Sequence, residues 1–76
     1  MVYVNQDLQL QWRVTLDDGE VLHWRRFQDA WIYAMPDADE GWMYLPKLTA
    51  VNRFLAGEKK ICVAWKPQKR IFLEWL

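Results

Sequence analysis

The stretch Lys59–Leu76, KKICVAWKPQKRIFLEWL, constrains the fold of this chain more than any other. Large apolar residues occupy every second position on both sides of Pro67: Ile61, Val63 and Trp65 before it, and Ile71, Leu73 and Trp75 after it. Such alternation is typical of β-strands, and proline fixes φ near the value that the second residue of a turn requires. The stretch therefore predicts a β-hairpin that turns at Pro67-Gln68.

The register of this hairpin depends on the length of its loop. A three-residue loop, Pro67–Lys69, pairs Trp65 with Ile71 and places all six alternating residues on one face. A loop one residue shorter pairs Trp65 with Arg70 and divides the apolar set between the two faces. We therefore predict the longer loop.

The opposite face of the predicted hairpin is also partly apolar. It carries Cys62, Ala64, Phe72, Glu74 and Leu76, beside Lys66 and Arg70. Either a loop or the N-terminal segment covers this face within the monomer, or the face binds a partner or a second copy of the chain. The second alternative follows from the tendency of exposed apolar patches to mark interaction sites, and the sequence leaves both open.

A second hairpin is predicted by the alternation of apolar and polar residues over Leu8–Leu16, a pattern typical of a strand with one dry and one solvated face. The turn that follows contains Gly19, which accepts a positive φ. A two-residue loop would place His23 opposite Val14. A three-residue loop keeps apolar residues opposite each other, and we predict this register: Val14 with Leu22 and Trp12 with Trp24.

Two segments between the hairpins have helical spacing. Phe27–Met35 has apolar residues at i, i+3, i+4 and i+7, and Pro36 ends it. Pro46 suits the first position of a second helix that runs to about Ala56, with Gly57 as the residue that terminates it. The apolar stripe expected on this second helix consists of Leu48, Val51, Phe54 and Leu55.

The element order is therefore ββααββ, which predicts a single α+β domain over residues 1–76. We expect an antiparallel sheet of about four strands with two short helices on one face. Residues 42–45 are expected to add only a brief extended piece, and the strand that ends at Leu76 is expected at a sheet edge, where a partner's strand can pair with it. The chain has 76 residues, near the lower limit for an independent core, but its six tryptophans each bury a large apolar area.

Charge is distributed unevenly along the chain. Residues 1–46 hold eight acids and three arginines, which gives 3 − 8 = −5, whereas residues 47–76 hold seven bases and two acids, which gives 7 − 2 = +5. The chain has an electrostatic dipole if the two parts occupy different ends of the fold. If the fold interleaves them, the dipole vanishes.

Few residue types in this chain suit catalysis, which needs reactive groups in mutual reach. His23 is the only histidine, and it falls on the predicted solvated face. Cys62 has neighbouring lysines that would favour its thiolate, but its position between apolar strand residues indicates a packed side chain. The acidic group in residues 37–40 lacks the spacing of a calcium loop. We therefore predict a protein that is not an enzyme and that binds no metal or cofactor.

The single cysteine excludes an intramolecular disulfide and favours a reducing compartment. The N-terminal residues lack the basic and apolar regions of a signal peptide. No apolar run reaches the ~20 residues that span a bilayer. These features predict a cytoplasmic protein without a membrane segment.

Two functional hypotheses follow. The first is a small module that binds another protein or complex as an inhibitor or adaptor, a class common among phage and mobile-element products; a homodimer is a further option for the same surface. The second is nucleic-acid binding by the basic, aromatic hairpin, in which Trp65 and Phe72 would stack on bases. The candidate partner-binding residues are Phe72, Leu76, Lys66, Lys69, Arg70 and Glu74.

Overall fold

The computed structural model describes residues 10–36 and 41–76. The strands are β1 (Trp12–Thr15), β2 (Val21–Trp24), β3 (Met43–Tyr44), β4 (Lys60–Lys66) and β5 (Lys69–Trp75), and the helices are α1 (Phe27–Ala34) and α2 (Lys47–Leu55). The strands form one antiparallel sheet in the order β2-β1-β5-β4-β3. The two helices lie between the two hairpins in the chain, as predicted.

The α+β class with an antiparallel sheet is confirmed, but the strand count and the order are not. Over residues 10–36 and 41–76 the sheet has five strands rather than about four, and the element order is ββαβαββ. The additional strand is β3, in which Met43 pairs with Trp65 and Tyr44 pairs with Ala64. A strand of two residues is too short to show the alternation by which a sequence reveals strands.

The position of β5 corrects a second expectation. It lies at the centre of the sheet, hydrogen-bonded to β1 on one side and to β4 on the other, and not at an edge. Its inward-facing residues Ile71 and Leu73 are 3% and 0% exposed. The edges of the described sheet are β2 and β3, so strand addition to β5 by a partner is excluded by its own neighbours.

The first hairpin has the predicted register, with Trp12 opposite Trp24 and Val14 opposite Leu22. Gly19 takes a φ of 90° in the turn, where a side chain would be strained. Strand β1 begins later than predicted, at Trp12. Positions 8 and 9 of the predicted strand lie outside the described residues.

The turn of the second hairpin corrects the predicted loop length. Lys66 pairs with Lys69 and Trp65 pairs with Arg70, so the loop consists of Pro67 and Gln68 alone. Gln68 has a φ of 68°, as the third residue of a type II turn requires. The shorter loop that we rejected from the sequence is therefore the one that forms.

A β-bulge at Val63 explains how this shorter loop avoids splitting the apolar residues. From Cys62 towards the start of β4, away from the turn, the register is shifted by one residue, so that Ile61 pairs with Leu73. A bulge places two residues of one strand opposite one residue of its partner, and Val63 and Ala64 are both 0% exposed. The core keeps its apolar residues, and Trp65 turns to the opposite face.

Helix α1 ends one residue before the predicted Met35 and buries the expected residues Ala30, Trp31 and Ala34. Helix α2 follows Pro46 and precedes Gly57, whose φ is 110°, so its ends are also close to those predicted. Neither described helix combines the length and the hydropathy needed to cross a membrane.

The prediction of the apolar stripe on α2 is partly wrong. The helix buries Ala50 and Phe54, at 0% and 4% exposure, whereas Leu48 and Leu55 are 71% and 72% exposed. The two buried residues are four apart and lie on one side of the helix. Because a small alanine allows the helix to approach the sheet there, the leucine-bearing side faces outward.

The Trp12 side chain, which is 7% exposed, links several aromatic residues of the core. Its ring stacks on Trp75 at a centroid distance of 5.2 Å and meets Phe27 and Phe54 edge-on at 4.9 and 5.1 Å. These partners lie on β5, at the start of α1 and on α2 respectively. One aromatic ring therefore joins the sheet to both helices.

We expect Trp12→Ala to lower the free energy of unfolding by about 3–5 kcal/mol, because a buried aromatic is lost and a cavity remains. Chemical denaturation followed by circular dichroism measures this change. The control Ile32→Ala removes a side chain that is 61% exposed and should change stability by less than ~0.5 kcal/mol. A similar small change for Trp12→Ala would contradict the central position of its ring.

Candidate functional site on the outer face of the sheet

The helices α1 and α2 both contribute to the same buried cluster and so cover one face of the sheet. Side chains along a strand point alternately to the two faces of the sheet. Those that alternate with the buried residues point away from this cluster, and we call the surface that they form the outer face. Its members are Arg13, Thr15, Val21, His23, Met43, Lys60, Cys62, Trp65, Arg70, Phe72 and Glu74. Trp65 and Phe72 are half-buried without belonging to the core cluster.

The strand register arranges the outer face in three rows across the sheet. The first row is charged and consists of His23, Arg13, Glu74 and Lys60. The second is mainly apolar and consists of Val21, Thr15, Phe72 and Cys62. The third consists of Arg70, Trp65 and Met43. Apolar groups thus occupy the centre of the face and one corner, with charges on either side.

The charged row is held by an ion pair between neighbouring strands. Arg13 donates from Nε and Nη2 to Oε1 of Glu74, at 2.9 and 2.7 Å. Both side chains are partly shielded, at 37% and 23% exposure. Charge-assisted hydrogen bonds of this kind fix the two side chains in place, so they form a defined border to the apolar row.

The apolar rows contain both exposed and sheltered side chains. Met43 is 59% exposed and Val21 is 47% exposed. Between them on the sheet lies Phe72, whose ring centroid is 5.0 Å from the Lys60 ammonium. The distance is within the range of a cation–π interaction, which holds Lys60 over the edge of the apolar row.

Three of the six predicted partner-binding residues share the outer face, namely Arg70, Phe72 and Glu74. The other three do not. Lys66 lies over the Trp42 ring, with its ammonium 4.8 Å from the centroid, and Lys69 Nζ is 3.6 Å from Asp17 Oδ2.

Leu76 follows β5 at the end of the sheet away from the turn, where its backbone N–H donates to the Gln11 carbonyl at 2.7 Å. Leu76 is six positions beyond Arg70, or about 20 Å along a strand. The predicted set is therefore spread over the hairpin rather than gathered in one patch.

The sequence analysis named Trp65 as a residue that would stack on bases but did not place it on this face, and it did not name Met43 as a binding residue. The predicted register placed Trp65 in the core, because it assumed unbroken pairing along the hairpin. The two-residue loop, which we rejected from the sequence, is the alternative that pairs Trp65 with Arg70 and so places Trp65 on the outer face. Met43 joins the face through its pairing with Trp65, which no local pattern indicates.

The residues considered for catalysis do not come together. His23 is exposed on β2 and Cys62 is half-buried on β4, three strand spacings away, or about 14 Å. The Cys62 thiol lies 3.4 Å from the Ala64 carbonyl oxygen. Among the residues 10–36 and 41–76, no group of three or more His, Cys, Asp and Glu side chains is placed to hold a metal ion. The acidic group in residues 37–40 lies outside the described residues.

The basic residues of the hairpin divide between its two ends. Lys59 and Lys60 lie near one end, while Lys66, Lys69 and Arg70 lie at the turn. The ammonium of Lys59 is 5.6 Å from the Trp75 ring centroid. Two ion pairs, Arg13–Glu74 and Lys69–Asp17, also join the acidic part of the chain to the basic part. At these two points the fold brings the net acidic residues 1–46 beside the net basic residues 47–76.

Comparison with protein-family models, with curated proteins and with solved structures found no significant match.

We expect the Arg13–Glu74 pair to have a coupling energy of about 0.2–1 kcal/mol, the usual range for partly exposed ion pairs. A double-mutant cycle with Arg13→Ala and Glu74→Ala, read by denaturant unfolding, measures it. The cycle Arg53→Ala with Glu58→Ala provides an exposed reference pair, in which Arg53 lies on α2 and Glu58 follows the helix. A coupling of zero would show that the charged row is not fixed by this contact.

Proposed function

We propose that this protein is a small non-enzymatic binding module that attaches through its outer face to another protein and acts as an inhibitor or adaptor. The observation that supports this proposal is the placement of Trp65, Phe72 and Met43 on the face of the sheet opposite both helices. Aromatic residues, methionine and arginine are enriched at the centres of protein interfaces.

The chemistry of the face fits a protein partner. Its apolar centre supplies aromatic side chains of the kind that carry most of the binding energy in interfaces. The ion pair of Arg13 with Glu74 lies at the border, where charged groups contribute more to association rate and specificity than to affinity. The strands hold all of these side chains on a rigid surface, which lowers the entropy lost on binding.

The charge of the face indicates the character of the partner surface. Arg13, Lys60 and Arg70 contribute three positive charges and Glu74 one negative charge, which leaves 3 − 1 = +2 with His23 neutral. Opposite potentials attract across an interface. We therefore expect the partner to present an acidic border around an apolar centre.

Nucleic-acid binding is the second candidate, and the same charge favours it. Trp65 and Phe72 could stack on bases while Arg70 contacts phosphate. The separation of the lysines between two ends of the hairpin weakens this candidate, since phosphate binding draws on a continuous basic groove. Protein binding makes use of the apolar centre as well as the charges.

A capture experiment with matched variants tests the proposal. Tagged wild-type protein and Trp65→Asp/Phe72→Asp are used to recover partners from lysate of the source cells, with and without nuclease. We expect the double variant to lose a protein that the wild type recovers, with affinity at least about 30-fold weaker, as for hot-spot residues. The control Ile32→Asp places a single negative charge on α1, at a position that is 61% exposed, and should retain the partner.

Met43→Asp provides a second test of the outer face if the double variant does not fold, because its site is 59% exposed and the substitution should not disturb the core. It should weaken capture while leaving the circular dichroism spectrum and the melting temperature near those of the wild type. Undiminished capture by Met43→Asp and by the double variant would refute the outer face as the binding surface. Recovery that disappears with nuclease would instead favour the nucleic-acid candidate.

A further inference from the structure

We propose that a second binding surface lies on the helical side of the protein, where an apolar cleft beside α2 accepts one large side chain of an acidic amphipathic helix. This surface is separate from the outer face and does not depend on the function proposed for it. The cleft is lined by Trp12, Phe27, Val51, Phe54, Leu55 and Trp75.

The walls of the cleft are fixed by the aromatic core. Trp12 stacks on Trp75 and meets Phe54 edge-on, and Phe54 and Trp75 are 6.3 Å apart by their centroids. Leu55 forms the outer lip and is 72% exposed. Ring-to-ring contacts among Trp12, Phe54 and Trp75 thus form the aromatic walls of the cleft.

The size of the cleft limits its occupant. Its volume is about 120 Å³, slightly below the ~150 Å³ of an apolar cavity that takes up a benzene ring. Cofactors and other small-molecule ligands occupy pockets of about 300–1,000 Å³. A single aromatic or branched aliphatic side chain fits the available space.

The exposed side of α2 extends this surface beyond the cleft. Leu48, Val51 and Leu55 are spaced i, i+3 and i+7 and so form one stripe. Leu48 and Leu55 are 71% and 72% exposed. The stripe spans about 10 Å of helix, a length that matches two turns of a second helix laid against it. Amphipathic helices bind to apolar grooves in this manner.

The rim of the cleft carries positive charge. The Lys47 ammonium lies 5.8 Å from the Phe27 ring centroid and the Lys59 ammonium 5.6 Å from that of Trp75, and both rings line the cleft. Lys47 also donates a hydrogen bond to Gln28. Two cations beside an apolar floor favour acidic residues on either side of the anchoring side chain.

An ion pair at the end of α2 joins Arg53 to Glu58. Arg53 donates to both carboxylate oxygens of Glu58 at 2.7 and 2.8 Å. This hydrogen bonding is the main cause that lowers the pKa of the Glu58 carboxyl, so the pair is neutral in sum at neutral pH. Arg53 and Glu58 therefore add no net charge to that of the two lysines.

A designed peptide tests the inference. The probe is an amphipathic peptide about 14 residues long, near the shortest length at which an isolated helix forms, with a central Phe, a Leu stripe and Glu elsewhere. Matched peptides replace Glu by Lys or the central Phe by Ala. Titration into isotope-labelled protein gives the affinity, and the indole signals of Trp12 and Trp75 report the site. We expect the acidic Phe peptide to bind at least tenfold more tightly than either matched peptide.

Variants of the protein locate the contact. Leu55→Asp should weaken binding of the acidic peptide at least tenfold, whereas Ile32→Asp on α1 should change it less than twofold. Lys47→Glu/Lys59→Glu should reverse the preference between the acidic and basic peptides. Met43→Asp alters the outer face at a position that is 59% exposed and should leave peptide binding unchanged, which separates this test from that of the proposed function. Equal binding of the acidic and basic peptides, an undiminished affinity of Leu55→Asp, or no binding at all would overturn the inference.

Discussion

The packing of the Trp12 ring is the interaction on which the other features of this protein depend. Trp12 lies on β1, opposite Trp24 of β2, and its ring stacks on Trp75 of β5 at 5.2 Å. The edge contacts to Phe27 and Phe54 bring both helices onto the same side of the sheet. A chain of 76 residues has little surface to bury, and one aromatic cluster on one side supplies much of its core.

This one-sided packing has two consequences for function. Because both helices cover the same face, the strand residues that point the other way form the outer face, with Phe72 in its central row and Trp65 in the next row. Because the rings of the cluster meet edge-on as well as stacked, they leave a cleft of about 120 Å³ beside α2. A single packing arrangement thus accompanies two separate candidate surfaces.

The sequence patterns predicted those parts of the fold that are determined by residues close together in the chain. The turn at Gly19 and the alternation around Trp12 determine the first hairpin, and proline and glycine mark the ends of both helices. The bulge at Val63 could not be predicted in this way, because it satisfies packing against strands and helices distant in sequence. The site was only partly predicted for the same reason, since the placement of Trp65 follows from that bulge. The central position of β5 likewise depends on its pairing with β1, more than fifty residues earlier.

Site-specific photo-crosslinking tests the central claim, that the outer face binds a protein partner, most directly. A photoreactive phenylalanine derivative is placed at Met43 on the outer face or at Ile32 on α1, a residue that does not line the cleft beside α2; the two positions have matched exposures of 59% and 61%. After irradiation in lysate of the source cells, we predict a discrete protein adduct from position 43 and none from position 32. The absence of an adduct from position 43, or the same adducts from both positions, would contradict the claim.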